Sequence, residues 1–307
     1  MFHARHASNS YRDRRQASDS HQLLHATARQ KSTSKRAMPE QTANTAAAMT
    51  TSSIPLRIPT EQEALYREVL TVLEDQQIPY AVAGAFALQM HTGICRYTKD
   101  LDVFLRAEEV PTTLAKLHEH GFECEICDPV WLAKAQRGEF YVDLITGMSN
   151  AALVVDISWI QLAHPAIIVD VPTRVLAPEE LLASKLFVTR RERFDGADIA
   201  HIVYGTKGNL DWHRLLRRIG EHWEILLWAL MLFHYVYPAH SDYVPRWLWL
   251  ELTGRFLNEV QNPDSRAPFR GSLIDENMFA IDLKEWGLEN ILEQYRARRE
   301  PKITTVP

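Results

Sequence analysis

Two aspartates, Asp100 and Asp102, stand at i and i+2 in the segment Asp-Leu-Asp-Val-Phe-Leu (100–105), where polar and apolar residues alternate as on a half-buried strand. Alternation turns both carboxylates to one face, roughly 6.5–7 Å apart at the backbone. Charges so placed repel unless a cation or solvent separates them. They converge on a hard divalent ion such as Mg²⁺ or Mn²⁺, which takes oxygen ligands and leaves positions for phosphate and water. A solvated strand edge is the plainer account of the pair alone. A third carboxylate, Asp143, lies among apolar residues in Tyr-Val-Asp-Leu-Ile (141–145), where a charge is costly without a partner such as a metal. Groups suited to phosphate lie close by in sequence. Gly84 and Ala85 open a helix after a short strand, where backbone N–H groups meet phosphate oxygens, and Arg96 and Thr98 offer a forked cation and a hydroxyl. Three strand carboxylates beside a phosphate cradle are equipment for metal-assisted phosphoryl or nucleotidyl transfer.

Two further residues fit this chemistry. Lys185 shares a helical stripe with Leu181, Leu182 and Val188, and a Lys there either snorkels to water or points at an anion, which predicts phosphate or nucleotide contact. Asp198, set among Ile199, Ile202 and Val203, is expected to pair with Lys185 or to act as a base. A structural salt bridge from Asp198 to Arg191 or Arg193 is the plainer account.

The elements that must position these groups follow from periodicity. Residues 61–76 read as a helix with Thr60 as N-cap. A short strand from Tyr80 ends at Gly84, a short helix covers 85–91, and Asp100–Leu105 is a strand. Pro111–His120 is a helix stopped by Gly121. Strands are expected at 122–126, 139–146 and about 166–175. Pro178 opens a helix whose Glu179 and Glu180 complement its dipole. Beyond Asp195 the chain reads as helical and Trp-rich. The expected architecture is α+β, a mixed sheet with flanking helices followed by a helical C-terminal part. The expected divisions are 1–53, a basic leader; 54–176, a catalytic core; and 177–307, a helical C-terminal domain.

In order along the chain, Ala83-Gly-Ala-Phe-Ala-Leu, Arg96-Tyr-Thr-Lys-Asp-Leu-Asp-Val and Val142-Asp-Leu-Ile resemble the core of DNA polymerase β-type nucleotidyltransferases. More narrowly, they are similar to bacterial toxin–antitoxin-type nucleotidyltransferase proteins, and Ala177–Lys185 and Arg190–Asp198 resemble that group's later Lys helix and Arg-rich, Asp-containing segment. The resemblance covers roughly residues 62–205. It implies an ATP- or other NTP-using, metal-dependent enzyme that moves a nucleoside monophosphate to a hydroxyl on an RNA (tRNA) end, a protein or a small molecule, with an antitoxin-like protein as a further partner. In that frame Asp100, Asp102 and Asp143 are catalytic and hold metal, while Gly84, Ala85, Arg96, Thr98 and Lys185 bind nucleotide. Gly84-Ala85 stands where the group has Gly-Gly or Gly-Ser, so a hydroxyl that would touch phosphate is missing. Weak turnover is one consequence, and a non-catalytic nucleotide- or partner-binding protein that keeps the fold is the alternative.

Composition narrows the classes. The net charge of −5 divides into +5 over residues 1–53 and −10 over the remainder. An acidic body does not favour duplex DNA by bulk charge. Three Cys exclude a disulfide scaffold. The longest apolar run, Ile225–Tyr237, is 13 residues and too short to span a bilayer, so a cytoplasmic location is expected. Residues 1–53 lack apolar periodicity and are expected to be disordered, as a transit segment or as sequence upstream of a start at Met38 or Met49. Cys124 and Cys127 have zinc-knuckle spacing without a second pair and read as ordinary thiols. Arg217 and His222 match a loose ribonuclease-type spacing that chance also produces.

Overall fold

The computed structural model describes residues 58–304. The expected leader and its possible start sites lie outside the described residues. Helix α1 (Thr60–Asp75) packs Leu65, Val69, Leu70 and Leu73 inward. Thr60 is its first residue rather than its cap; Pro59 precedes it and no side chain caps the end. Strand β1 (Tyr80–Val82) leads into α2 (Gly84–Thr92), and β2 (Asp100–Leu105) leads into α3 (Val110–Glu119). Then come β3 (Glu123–Asp128), β4 (Leu132–Arg137) and β5 (Phe140–Ile145). Helix α4 (Ile157–Gln161), β6 (His164–Ile168) and β7 (Val171–Val175) follow.

The seven strands form one mixed sheet in the order β3-β4-β5-β2-β1-β7-β6. The central pair β2 and β5 is parallel, and β1 runs antiparallel to β2 and parallel to β7. The single strand expected over 166–175 is a hairpin: Val169 and Asp170 both take positive φ (47° and 65°), which reverses the chain in two residues. Strand β4 and helix α4 were not expected. Leu-Ala-Lys-Ala-Gln-Arg lacks the β-branched and aromatic residues that mark strands, and it is held by pairing to β3 and β5.

Helices α5 (Pro178–Leu186), α6 (Gly196–Gly205), α7 (Trp212–Ile219), α8 (Trp223–Val236) and α9 (Arg246–Gln261) follow. The short helices α10 (Gly271–Asp275), α11 (Ala280–Lys284) and α12 (Ile291–Arg298) end the described chain. Every residue of α5 is buried, its charged ones included, so burial is not confined to the apolar stripe read from its sequence. Its first-turn acids do more than complement a dipole. Glu179 accepts from the Asp211 amide at 2.6 Å and from Arg214, and Glu180 meets Arg218 at 3.2 Å, tying α7 to α5.

One hydrophobic cluster runs from α1 through the sheet to α5–α9. Fully burying a Leu such as Leu101 or Leu182 contributes about 1.5–3 kcal/mol. The Trp-rich stretch divides between roles: Trp212 and Trp223 are core, while Trp228 and Trp247 reach solvent. Among the described residues no helix is long and apolar enough to cross a membrane.

Candidate active site

Strand register brings the acids together. In the parallel β2–β5 pair Asp102 lies opposite Asp143, and alternation along β2 keeps Asp100 on the same face. Ligand oxygens of Asp100, Asp102 and Asp143 all fall within 4.8 Å of one another. Burial first, and then the charges of Asp100 and Asp143, push the Asp102 carboxyl up to about 7. Burial likewise raises Asp143, against the opposing pull of Lys134, whose Nζ stands 2.9 Å from Asp143 Oδ1. Lys134 belongs to the unforeseen strand β4, directly opposite Asp143, so the line Lys134–Asp143–Asp102 crosses three strands.

Gly84 begins α2 beside this triad at φ +53°. A Cβ there would stand 1.8 Å from Asp102 Oδ2, so glycine is required both by conformation and by the closeness of the carboxylate. The Ala83 amide donates to the Asp102 carbonyl at 2.8 Å and fixes this approach. The N–H groups of the first turn of α2 lack intrahelical acceptors, which leaves Gly84 and Ala85 available to an anion.

The Thr98 hydroxyl donates to Asp100 Oδ1 at 2.7 Å, so here it orients a carboxylate. The buried Gln62 of α1 holds that loop by donating to the Thr98 carbonyl at 2.9 Å. Arg96 is bidentate on Asp198, with bonds of 2.8 and 2.7 Å. Lys185 Nζ meets Asp195 at 2.7 Å and Asp198 at 2.9 Å. Burial works against the Asp198 charge, yet the bonds from Arg96 and Lys185 hold its carboxyl below the usual range. The structure thus joins Arg96, Lys185 and Asp198 into one ion network, in which Lys185 (8% exposed) and Asp198 (6%) are buried and Arg96 is half-exposed. The pairing of Asp198 with Lys185 matches the sequence reading, and Arg96 takes the place considered for Arg191 or Arg193.

These groups, apart from Gln62, Lys134 and Asp198, line one cavity of about 330 Å³. Its polar side carries Gly84, Ala85, the triad, Arg96, Thr98 and Lys185, joined by Arg190 and Arg193 from the turn after α5. Its apolar side includes Phe104, Trp131, Ile145, Met148 and Phe187. Sequence reading singled out neither Lys134 nor Arg190 and the apolar wall, and considered Arg193 only as a partner of Asp198. The Arg pair sat within a recognised motif, whereas the wall had no local signal.

The far C-terminal segment braces loops that line the cavity. Arg296 donates to the Ser149 carbonyl at 2.7 Å and to both oxygens of Asp128 at 3.0 and 2.8 Å. The buried Arg299 donates to the Thr146 carbonyl at 3.0 Å, and Asp275 accepts from the Arg191 amide at 3.2 Å. Loops 146–150 and 188–195, on either side of the cavity, are therefore braced by residues distant in sequence.

Among solved structures the chain is similar to the antibiotic-resistance factor ANT(2″)-Ia, at 15% identity and a TM-score of 0.41, over 58% of this chain and 99% of that one. It is similar also to a nucleotidyltransferase-like protein from Paracoccidioides brasiliensis, at 20% identity and 0.41, over 60% and 91%. A third is the lincosamide antibiotic adenylyltransferase LnuA, at 19% and 0.35, over 48% and 98%. No curated protein matches. Residues 62–224, just over half of the chain, match the family described as "Nucleotidyl transferase of unknown function (DUF2204)". They take in the triad, the Gly84 turn and the Lys185–Asp198 network, and the chain belongs to this nucleotidyl transferase family.

Proposed function

We propose that the protein transfers a nucleoside monophosphate from an NTP, ATP foremost, to a hydroxyl acceptor on an RNA (tRNA) end, a protein or a small molecule. The observation that carries this reading is the convergence of Asp100, Asp102 and Asp143 within 4.8 Å beside the open N-terminus of α2, in one cavity. An all-oxygen donor set, with Asp102 pushed up to about 7 by burial and then by its neighbours' charge, fits a hard divalent cation. Asp100 and Asp102 with Asp143 would hold Mg²⁺ or Mn²⁺, which when bound neutralises phosphate charge and polarises an oxygen. The chain's own groups supply the rest. Backbone N–H groups of Gly84 and Ala85 bind phosphate oxygens, and Arg190, which lines the cavity, adds positive charge, while Arg193 pairs with Asp195. In this reading Asp143, besides holding metal, would draw the proton from the acceptor hydroxyl. Lys185 and Arg96 are committed to Asp195 and Asp198, so in this reading they shape the phosphate wall as a fixed ion network. The apolar wall excludes water from the reacting atoms and receives a base or an acceptor. We place this activity in the cytoplasm and include an antitoxin-like protein among its proposed partners.

The test is incubation of the full chain with each α-labelled NTP, Mg²⁺ or Mn²⁺, and tRNA, protein or small-molecule acceptors. Asp100-dependent label on one acceptor class supports the reading and names the acceptor. No label, together with no NTP binding by calorimetry, would sink it. Metal-dependent NTP binding without label would instead favour a non-catalytic nucleotide binder.

A further inference from the structure

A formal charge of −3 is packed into the triad, and the chain's own cations answer it unevenly. Lys185 is taken by Asp195 and Asp198, Arg96 by Asp198, and Arg193 by Asp195. Among the described residues the cation in an ion pair with a triad carboxylate is Lys134. Its position is built, not incidental. It lies opposite Asp143 in the β4–β5 register, its Nζ is 2.9 Å from Asp143 Oδ1, and it sits 4.2 Å from the centroid of the Tyr141 ring. The pair is mostly shielded, with side chains 32% and 15% exposed. Fixed within a strand paired on both sides and steadied on an aromatic face, the ammonium does not have to be recruited from solvent.

We propose that Lys134 serves at Asp143 in place of a second divalent cation, making the triad a one-metal centre. This rests on the reading of the triad as a metal site. The charges agree with it: Lys134 reduces the triad from −3 to −2, which a single divalent ion neutralises. Two-metal sites hold their ions about 3.5–4 Å apart between shared carboxylates. An ammonium already seated on Asp143 Oδ1 repels a second ion there and leaves the remaining triad oxygens to the first.

The experiment is titration of the full chain with Mn²⁺ alone, with free Mn²⁺ read by electron paramagnetic resonance. Wild type binds one Mn²⁺ per chain, and Lys134→Arg, which keeps the charge, also binds one. Lys134→Met and Lys134→Gln, which remove it, bind two. Melting curves of both neutral variants report whether they fold, and either suffices. A wild-type stoichiometry of two overturns the inference, as does an unchanged stoichiometry of one in a folded neutral variant. Asp102→Asn separates the two levels of the argument. If it binds Mn²⁺ as wild type does, the metal reading of the triad fails and the Lys134 inference fails with it. If it loses Mn²⁺ while the neutral Lys134 variants stay at one, the inference alone fails.

Discussion

Gly84 lies so close to Asp102 that a single methyl group on its Cα would stand 1.8 Å from the carboxylate Oδ2. Residue 84 also holds φ +53°, a region that costs a non-glycine residue about 1–2 kcal/mol. Gly84→Ala is therefore expected to displace Asp102 and the first turn of α2 together. A displacement of about 1 Å at reacting groups lowers kcat/KM about 100-fold. Steady-state kinetics on the acceptor that takes label would measure it, and near-wild-type turnover would contradict the role assigned to this turn.

Asp102 makes metal-free stability depend on pH. Its carboxyl is pushed up to about 7 by burial and by Asp100 and Asp143, whereas an unfolded Asp titrates near about 4. The folded chain binds this proton more tightly than the unfolded chain. The resulting stabilisation is complete below about pH 4 and is lost as pH rises through about 7. Without metal, Asp102→Asn is expected to melt a few degrees above wild type at pH 8, a shift of about 2–4 °C per kcal/mol for a chain this size. The gap should close toward pH 4, and Mg²⁺ should close it at pH 8 by stabilising wild type. A variant that melts lower than wild type at pH 8 in chelator would argue against this account.

The Arg96–Asp198–Lys185 network predicts a structural cost. Asp198→Ala removes both bonds to Arg96 and one of the two carboxylates on the buried Lys185. Breaking a buried pair from one side costs about 3 kcal/mol or more. The expected result is a lower midpoint in urea unfolding. Arg96→Ala should cost less, because Arg96 is 47% exposed and Lys185 still neutralises Asp198. Equal losses in the two variants would show that Asp198 does not anchor Lys185.

Arg296 links Asp128 to the Ser149 loop, which lines the cavity. Arg296→Ala is expected to raise KM for the nucleotide or acceptor about tenfold, as loosened positioning does, with a smaller effect on kcat and none on Mn²⁺ affinity. The exchange Asp128→Arg with Arg296→Asp should recover part of the loss, a coupling that a double-mutant cycle would quantify. Independent, additive effects would mean that the two side chains do not act as a pair.

Much of the site was legible because its signals are local. Period-two alternation alone places Asp100 and Asp102 on one face. The sequence order strand, glycine, helix marks Gly84, and Pro178 marks the start of α5. Strand β4 was hidden because Leu-Ala-Lys-Ala-Gln-Arg owes its extended form to neighbours on both sides, and Lys134 was hidden with it. The hairpin at Val169–Asp170 was missed because neither residue is the glycine or asparagine that usually announces such a turn.

What the sequence by itself determined is the inventory and its local geometry: three strand carboxylates, a glycine-opened helix, a Lys helix and an Arg-rich turn, in an order that places the chain among nucleotidyl transferases. Only the tertiary structure decided which groups meet. Register across β2 and β5 set Asp143 against Asp102, and pairing on β4 set Lys134 against Asp143. Packing of α6 against α2 and α5 carried Asp198 to Arg96, 102 positions away, and joined the two in an ion network. The reason is physical: backbone periodicity acts over a few residues, whereas the partner of a charge is settled by long-range packing that leaves it no other way to be neutralised.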